Sequence, residues 1–231
     1  MEEKQLRRMR TVRSFVRRQG RFTEGQRQAF VQGWARYGLD FEPRRLDWLA
    51  VFGRDGWRGL DIGFGEGESL LQAVLEHPEQ DWLGVEVHRP GVGKLFRHAL
   101  EHGVNNLRVS TEDVLQVLHY QVPDASFDLV RLFFPDPWHK KRHHKRRIVQ
   151  PAFVQEIRRV LKPGGLFHMA TDWADYARHM QEVMAEAEGF VLQEALLASE
   201  QNPPWRVSTK FERRGRRLGH LTWDLRYRRC D

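Results

Sequence analysis

Between residues 57 and 188, short apolar runs alternate with longer segments whose apolar residues recur at helical spacing. The runs GLDIGFG, WLGVEVH, LRVSTEDV, FDLVRLFF and GLFHMATD have the length of strands. Strand and helix units that repeat in this order indicate a parallel sheet covered by helices on both faces. Two further segments, FVLQEALL and LGHLTWDLRYRR, predict a pair of strands at one edge. The expected fold class is therefore α/β, with a doubly wound, Rossmann-like sheet.

The N-terminal part of the chain differs from the rest, because it is rich in Arg and Gln and its apolar positions are scattered. We interpret residues 1–40 as a basic N-terminal arm, flexible in the free protein, and residues 41–231 as one folded domain. Such an arm can be a solvated tail, or it can bind along a phosphate backbone. The two interpretations are compatible.

The charge balance favours a polyanionic partner. The 38 Lys and Arg residues outnumber the 31 Asp and Glu residues, which gives a formal net charge of +7 and a pI of about 9.9. Nucleic acid is the partner that such a balance suits best. The single cysteine, Cys230, excludes an intrachain disulfide, and no segment approaches the roughly 18 apolar residues of a membrane span. We expect a cytoplasmic monomer that makes no membrane contact.

Glycines cluster directly after the first predicted strand, in DIGFGEGES. Ligands of such sheets bind at the carboxyl ends of the strands, where Gly63, Gly65 and Gly67 let the backbone turn sharply and approach a ligand. The alternative is that these glycines only form the turn that joins the strand to its helix and bind no ligand. A dinucleotide fingerprint needs a third glycine where Glu68 stands, whereas Gly-x-Gly-x-Gly is more usual for S-adenosylmethionine sites. A nicotinamide dehydrogenase is therefore the weaker alternative.

Two acidic residues follow the second and third predicted strands. Glu86 interrupts the apolar run WLGVEVH, where a carboxylate can accept hydrogen bonds from both hydroxyls of an adenosine ribose. Asp113 is placed to accept from an adenine amino group, and its alternative role is the N-cap of the helix that begins in DVLQVLH.

The fourth strand leads into Pro-Asp-Pro-Trp and then into HKKRHHKRR. The two prolines restrict the backbone of Asp136, and Trp138 offers a surface on which a flipped purine could stack. So many like charges repel one another unless a polyanion is present, which favours phosphate binding over a solvated helical face. His139 and His143 have a spacing that could chelate zinc, but the surrounding cations disfavour a dication and we predict no metal.

These motifs together resemble those of bacterial tRNA (guanine-N7-)-methyltransferases, class I S-adenosylmethionine-dependent enzymes that modify a guanine of the tRNA variable loop. The resemblance rests on DIGFGEG, LGVEVHRPGVG, LFFPDPWHKKRHHKRRIVQ, FHMATDW and TKFERRGRRLGH, and it covers about residues 57–231. The segment RSFVRRQGR of the arm is also similar to proteobacterial members. The resemblance implies S-adenosyl-L-methionine as cofactor, tRNA as partner and a class I methyltransferase domain.

The resemblance also assigns roles to individual residues. It implies that Asp136 is the catalytic position. The implied cofactor-binding residues are Asp61, Gly63, Gly65, Glu86, Asp113 and Asp136. The implied substrate and RNA contacts are Lys140, Arg142, His143, His144, Lys145, Arg146, Arg147, Asp172, Thr209, Lys210, Phe211 and Glu212.

The chemistry of guanine defines what Asp136 is expected to do. Guanine N7 carries a lone pair and no proton, so its methylation needs alignment rather than deprotonation. A carboxylate can accept from the guanine N1–H and amino group and offset the positive charge that develops on the purine. A noncatalytic RNA-binding module with a vestigial cofactor fold is the other hypothesis, although an intact set of Gly63, Gly65, Glu86 and Asp136 argues against such decay.

Overall fold

The computed structural model describes residues 22–198, 212–213, 219 and 221–231. Within these residues seven strands form one sheet in the order β3-β2-β1-β4-β5-β7-β6. The strands are β1 (Arg58–Ile62), β2 (Asp81–Val85), β3 (Leu107–Ser110), β4 (Phe127–Phe133), β5 (Leu161–Thr171), β6 (Phe190–Ala198) and β7 (Thr222–Arg229). The first five strands are parallel, and β7 is antiparallel to both β5 and β6. The predicted doubly wound α/β sheet with two added edge strands is confirmed.

Two of the described α-helices precede β1, and five lie between consecutive strands. They are α1 (Glu24–Tyr37), α2 (Trp48–Phe52), α3 (Glu68–Glu76), α4 (Arg89–His102), α5 (Val114–Gln116), α6 (Pro151–Val160) and α7 (Ala174–Ala185). The short α5 continues into a wider helical turn over Val117–Gln121, and a 3₁₀ turn over Lys141–Arg146 lies between β4 and α6. None of the helices in the described ranges is both long and apolar enough to cross a membrane.

The core has two buried clusters. One includes Phe153 and Ile157 of α6 and Met180 of α7, and the other includes Leu70 of α3 and Phe96 of α4. Every residue of β1 and β2 is buried, because helices cover the sheet on both faces. This enclosure explains why buried and exposed positions do not alternate in these strands, and even Arg58, Asp61 and Asp81 are buried.

Helix α1 extends the folded unit into the predicted N-terminal arm. Thr23 and Gln26 form a capping box at its start, and its Tyr37 side chain is fully buried and donates to the Ala99 carbonyl of α4 over 2.9 Å. A Cβ on Gly33 would lie 2.5 Å from the Phe96 side chain, so the two helices pack closely. Residues 24–37 therefore form a helix packed on α4, and residues 1–21 of the predicted arm lie outside the described residues.

Candidate active site

A cleft of about 290 Å³ lies at the carboxyl ends of β1, β2 and β4. It brings together residues that are far apart in sequence, because the carboxyl ends of parallel strands meet at one edge of the sheet. Its lining includes Gly63, Gly65, Glu86, Glu112 and Asp136. Four of the predicted site residues are therefore gathered in one cleft.

The glycine turn after β1 forms one wall of this cleft. Gly63 and Gly67 have φ values of 71° and 80°, a left-handed conformation that side chains with a Cβ disfavour. A Cβ on Gly91 of α4 would lie 2.1 Å from the Gly65 carbonyl oxygen, so this helix rests directly on the turn. The motifs DIGFGEG and HRPGVG thus build the turn together.

Glu86 supports the turn from the end of β2. Its Oε2 accepts from the Gly65 amide and its Oε1 from the His88 amide, each over 2.8 Å. Burial raises the pKa of this carboxyl above its usual value, and the two backbone hydrogen bonds oppose that rise. A carboxylate has about four acceptor sites, so these two bonds leave acceptor capacity for a ligand hydroxyl.

Asp61 lies beneath the turn and is 2% exposed. Its Oδ2 is 2.9 Å from a guanidinium nitrogen of Arg131, and that guanidinium lies 4.0 Å from the centre of the Trp82 ring. Burial raises the pKa of Asp61 and lowers that of Arg131, while the attraction within the pair opposes both shifts. Asp61 lines a smaller recess beside the main cleft, together with Gly63 and Phe133.

The two acids after β3 have different surroundings. The Oδ1 of Asp113 accepts from the Leu115 amide over 3.0 Å, which is the N-cap arrangement. Glu112 lines the main cleft and was not predicted as a site residue. Aspartate is the better N-cap of the two residue types, and this preference could have directed attention to Glu112. A ligand contact of Asp113 stays a prediction.

The loop that follows β4 carries Asp136, which is exposed and lines the cleft. Two nonglycine residues in this loop have positive φ values, 51° at Phe134 and 48° at Trp138. The Phe134 amide donates to the Ala170 carbonyl of β5 over 2.7 Å. The loop is therefore held in a conformation that the chain would not adopt without support.

The basic run has a mostly exposed outer surface, with Lys140, Lys141, Arg142 and Lys145 all exposed. The Arg146 guanidinium lies 3.7 Å from the centre of the Trp138 ring, so a cation covers the aromatic surface predicted to receive a purine. Burial lowers the pKa of His143, and the positive charges of the nearby Arg142 and Arg146 lower it further.

Arg147 differs from the rest of the run, because its side chain is buried and donates to Asp175 of α7. Arg147 is thus the one predicted RNA contact within the described run whose side chain is enclosed by protein.

Asp172 follows β5 directly, at the strand end next to that of β4. The ring of the neighbouring Trp173 lies 4.2 Å from the His139 ring.

The segment with the second group of predicted substrate contacts is described only in part. Thr209, Lys210 and Phe211 lie outside the described residues, and Glu212 is 1% exposed. The adjacent Arg213 donates to the Glu68 carboxylate of α3 over 2.7 Å. This contact brings Arg213 next to the helix that follows the glycine turn. Across the part of the chain that the structure covers, no three His, Cys, Asp or Glu side chains are grouped as a metal site.

The donors and acceptors of the main cleft suit S-adenosylmethionine. Glu86, Glu112 and Asp136 line it, and no Lys or Arg is found among the described residues of its lining, although the chain as a whole is basic. A sulfonium and an ammonium group are stabilised by such acidic surroundings, and ribose hydroxyls can donate to them. The diphosphate of a dinucleotide would instead be repelled. The residues present therefore fit the methyl donor.

Fold and cleft together define a class I S-adenosylmethionine-dependent methyltransferase. Among solved structures, the chain is similar in fold to a 16S rRNA (adenine(1408)-N(1))-methyltransferase mutant from Catenulisporales acidiphilia, with a TM-score of 0.60, 16% identity and coverage of 84% of this chain and 95% of that one. The 16S rRNA methyltransferase KamB matches with a TM-score of 0.58 and 16% identity over 96% of this chain and 100% of that one.

Sequence comparison narrows the class to a family. Residues 57–225 match a family model described as "Putative methyltransferase". The tRNA (guanine-N(7)-)-methyltransferase of Aeromonas hydrophila is 54% identical over 96% of this chain and 94% of its own length. That of Pseudomonas aeruginosa is 52% identical over 100% of this chain and 94% of its own. The chain belongs to the tRNA (guanine-N(7)-)-methyltransferase family.

Proposed function

We propose that this protein transfers the methyl group of S-adenosylmethionine to N7 of a guanine in the variable loop of tRNA. One observation carries the proposal: Asp136 lines the acidic cleft, and the basic run begins three residues later, at His139. A cationic methyl donor and a polyanionic RNA thus have adjoining surfaces of opposite charge, with one carboxylate between them.

The donor side of the site depends on the glycine turn. Glu86 holds the turn through the Gly65 amide and retains acceptor capacity for the ribose hydroxyls. Glu112, which lines the cleft, and Asp113 beside it are proposed to accept from the adenine amino group. The Asp61–Arg131 pair supports the turn from below. When bound, S-adenosylmethionine supplies the methyl group, and its carbon–sulfur bond breaks as the bond to N7 forms.

The RNA side of the site depends on the exposed cations. Lys140, Arg142 and Lys145 are proposed to neutralise phosphates, together with the partly exposed Arg146, and His143 and His144 lie among them. The target guanine must leave its stack to reach a cleft of this kind. Asp172, Thr209, Lys210, Phe211 and Glu212 are the further residues proposed to contact the substrate.

Asp136 is proposed to orient the guanine. A carboxylate accepts from the N1–H and the amino group of guanine, a donor pair that adenine does not present on the same edge. Because N7 has no proton, no base is needed, and positioning supplies much of the rate. The carboxylate charge also stabilises the purine as it becomes cationic.

The experiment that tests this function is methyl transfer from labelled S-adenosylmethionine to unmodified tRNA, followed by nucleoside analysis. The expected product is 7-methylguanosine, which should disappear when the variable-loop guanine of the tRNA is replaced. Label in another nucleoside, or none, would contradict the proposal. Stabilisation against heat by S-adenosylmethionine and not by NAD would separately exclude a nicotinamide enzyme.

A further inference from the structure

Arg147 is the last cation of the basic run, but it faces the protein. Its side chain is 2% exposed, whereas Lys145, two residues earlier, is exposed. The guanidinium lies 4.8 Å from the centre of the Tyr176 ring. A phosphate could reach it only if this packing were disrupted.

The side chain of Arg147 joins the loop after β4 to helix α7. Its Nε donates to the Pro137 carbonyl over 3.0 Å, one residue after Asp136. One of its terminal nitrogens donates over 2.5 Å to Oδ2 of Asp175, a residue in the first turn of α7. The fork of a guanidinium can satisfy two such acceptors at once, which an ammonium group cannot do with the same geometry.

The loop needs support of this kind. Phe134 and Trp138 flank the Pro-Asp-Pro segment with φ values of 51° and 48°. Strained residues persist only where the surrounding structure holds them. The Phe134 amide is bonded to Ala170 of β5 at the start of the loop, and the carbonyl bonded to Arg147 lies near its end. Arg147 therefore supplies a second anchor.

We propose that Arg147 is a positioning residue that holds Asp136 in place and is not a ligand of the RNA phosphates. The proposal deepens the methyltransferase function above and rests on it. It separates Arg147 from its neighbours Lys145 and Arg146, whose side chains are not enclosed.

The test compares Arg147→Gln with Lys145→Gln, because each removes one cation from the same run. Two quantities are measured: the salt dependence of tRNA affinity and the single-turnover methylation rate at saturating tRNA. Lys145→Gln is expected to reduce the slope of log affinity against log salt by about 0.7 to 0.9. Arg147→Gln should leave the slope at the parent value and reduce the rate on the order of 10²-fold, because Asp136 is misplaced.

A second variant removes the partner and keeps the cation. Asp175→Ala should reduce the saturating rate at least about tenfold with an unchanged salt slope. If Arg147 were a phosphate ligand, freeing it from Asp175 would instead strengthen tRNA binding and steepen the slope. Arg147→Lys retains the charge, and it should recover only part of the rate because one anchor is lost.

A structural readout is independent of activity. Hydrogen exchange is measured at the amides of residues 134, 136, 138 and 139, which are the positions of this segment other than its two prolines. With S-adenosylmethionine absent, exchange at these amides should be faster in Arg147→Gln and Asp175→Ala than in the parent. A reduced salt slope in Arg147→Gln with unchanged exchange and an unchanged saturating rate would overturn the proposal. If the parent itself fails to methylate tRNA, the proposed function fails instead, so the two failures are distinguishable.

Discussion

The Oε2 atom of Glu86 accepts a hydrogen bond from the Gly65 amide over 2.8 Å. The end of β2 and the glycine turn after β1 are thereby joined within the cofactor cleft. One carboxylate both shapes the turn and offers acceptors to the ribose, which explains why an acidic residue interrupts an otherwise apolar strand end.

Replacement of Glu86 by Ala is expected to weaken S-adenosylmethionine binding by roughly 1.5 to 3 kcal/mol, the range for hydrogen bonds to a charged acceptor. The tRNA affinity should stay near the parent value, because the basic run is untouched. Calorimetry with each ligand separately measures both. Glu79→Ala is the matched control, since Glu79 is exposed in the turn before β2. Equal cofactor affinity in Glu86→Ala and the parent would remove Glu86 from the site.

Removal of one partner of the buried Asp61–Arg131 pair is expected to destabilise the fold. Arg131→Met leaves a carboxylate that is 2% exposed without its counter-charge, at a cost of about 3 to 5 kcal/mol near neutral pH. Urea unfolding of parent and variant measures the difference.

The deficit of Arg131→Met should also depend on pH. Burial raises the pKa of Asp61 and Arg131 opposes that rise, so the variant should have a still higher folded pKa. Its folded state then binds the proton more tightly than its unfolded state, and stability is lost as the pH rises through the folded pKa. The deficit should therefore be smaller near pH 5 than near pH 7.5. In the double variant Asp61→Asn, Arg131→Met, this pH dependence should be absent. If it persisted there, the pH dependence could not be assigned to the Asp61 carboxyl.

Neutralisation of the exposed cations Lys140, Lys141, Arg142 and Lys145 to Gln is expected to weaken tRNA binding and flatten its salt dependence. Each lost phosphate contact reduces the slope by about 0.7 to 0.9, or roughly 3 for all four. Arg228→Gln is a control, because this exposed residue of β7 lies near Gly164, at the amino end of β5. A slope in the fourfold variant equal to that of the parent would indicate a solvated surface with no RNA contact.

The parts of the structure that follow from local patterns were predictable. Alternating apolar and helical segments predicted the sheet, and convergence of strand ends predicted that Gly63, Gly65, Glu86 and Asp136 share a cleft. Residues 24–37 were assigned to the arm from their composition. The spacing of Phe30, Trp34 and Tyr37 does suit one face of a helix, but the partner surface on α4 is distant in sequence.

Two features of the site were not predicted, although the first had a local signal in the N-cap preference for aspartate. Glu112 and Asp113 are adjacent acids, and the start of α5 decides which one caps the helix and which one lines the cleft. Within the basic run, no local property distinguishes Arg147 from Arg146. The difference arises from Asp175, which lies 28 residues further along the chain and is brought close only by the fold.

The most direct measurement of the central claim is the pH dependence of single-turnover methylation by the parent, Asp136→Asn and Asp136→Ala. If Asp136 orients guanine and stabilises charge, the parent rate should be flat across the neutral range, because an ordinary aspartyl group, with a pKa of about 3.9, is already ionised there. Both variants should be slow, with Ala at least as impaired as Asn, while tRNA binding is retained. The account would be contradicted if the parent rate rose with unit slope through neutral pH and Asp136→Asn abolished that rise. Asp136 would then be a proton acceptor.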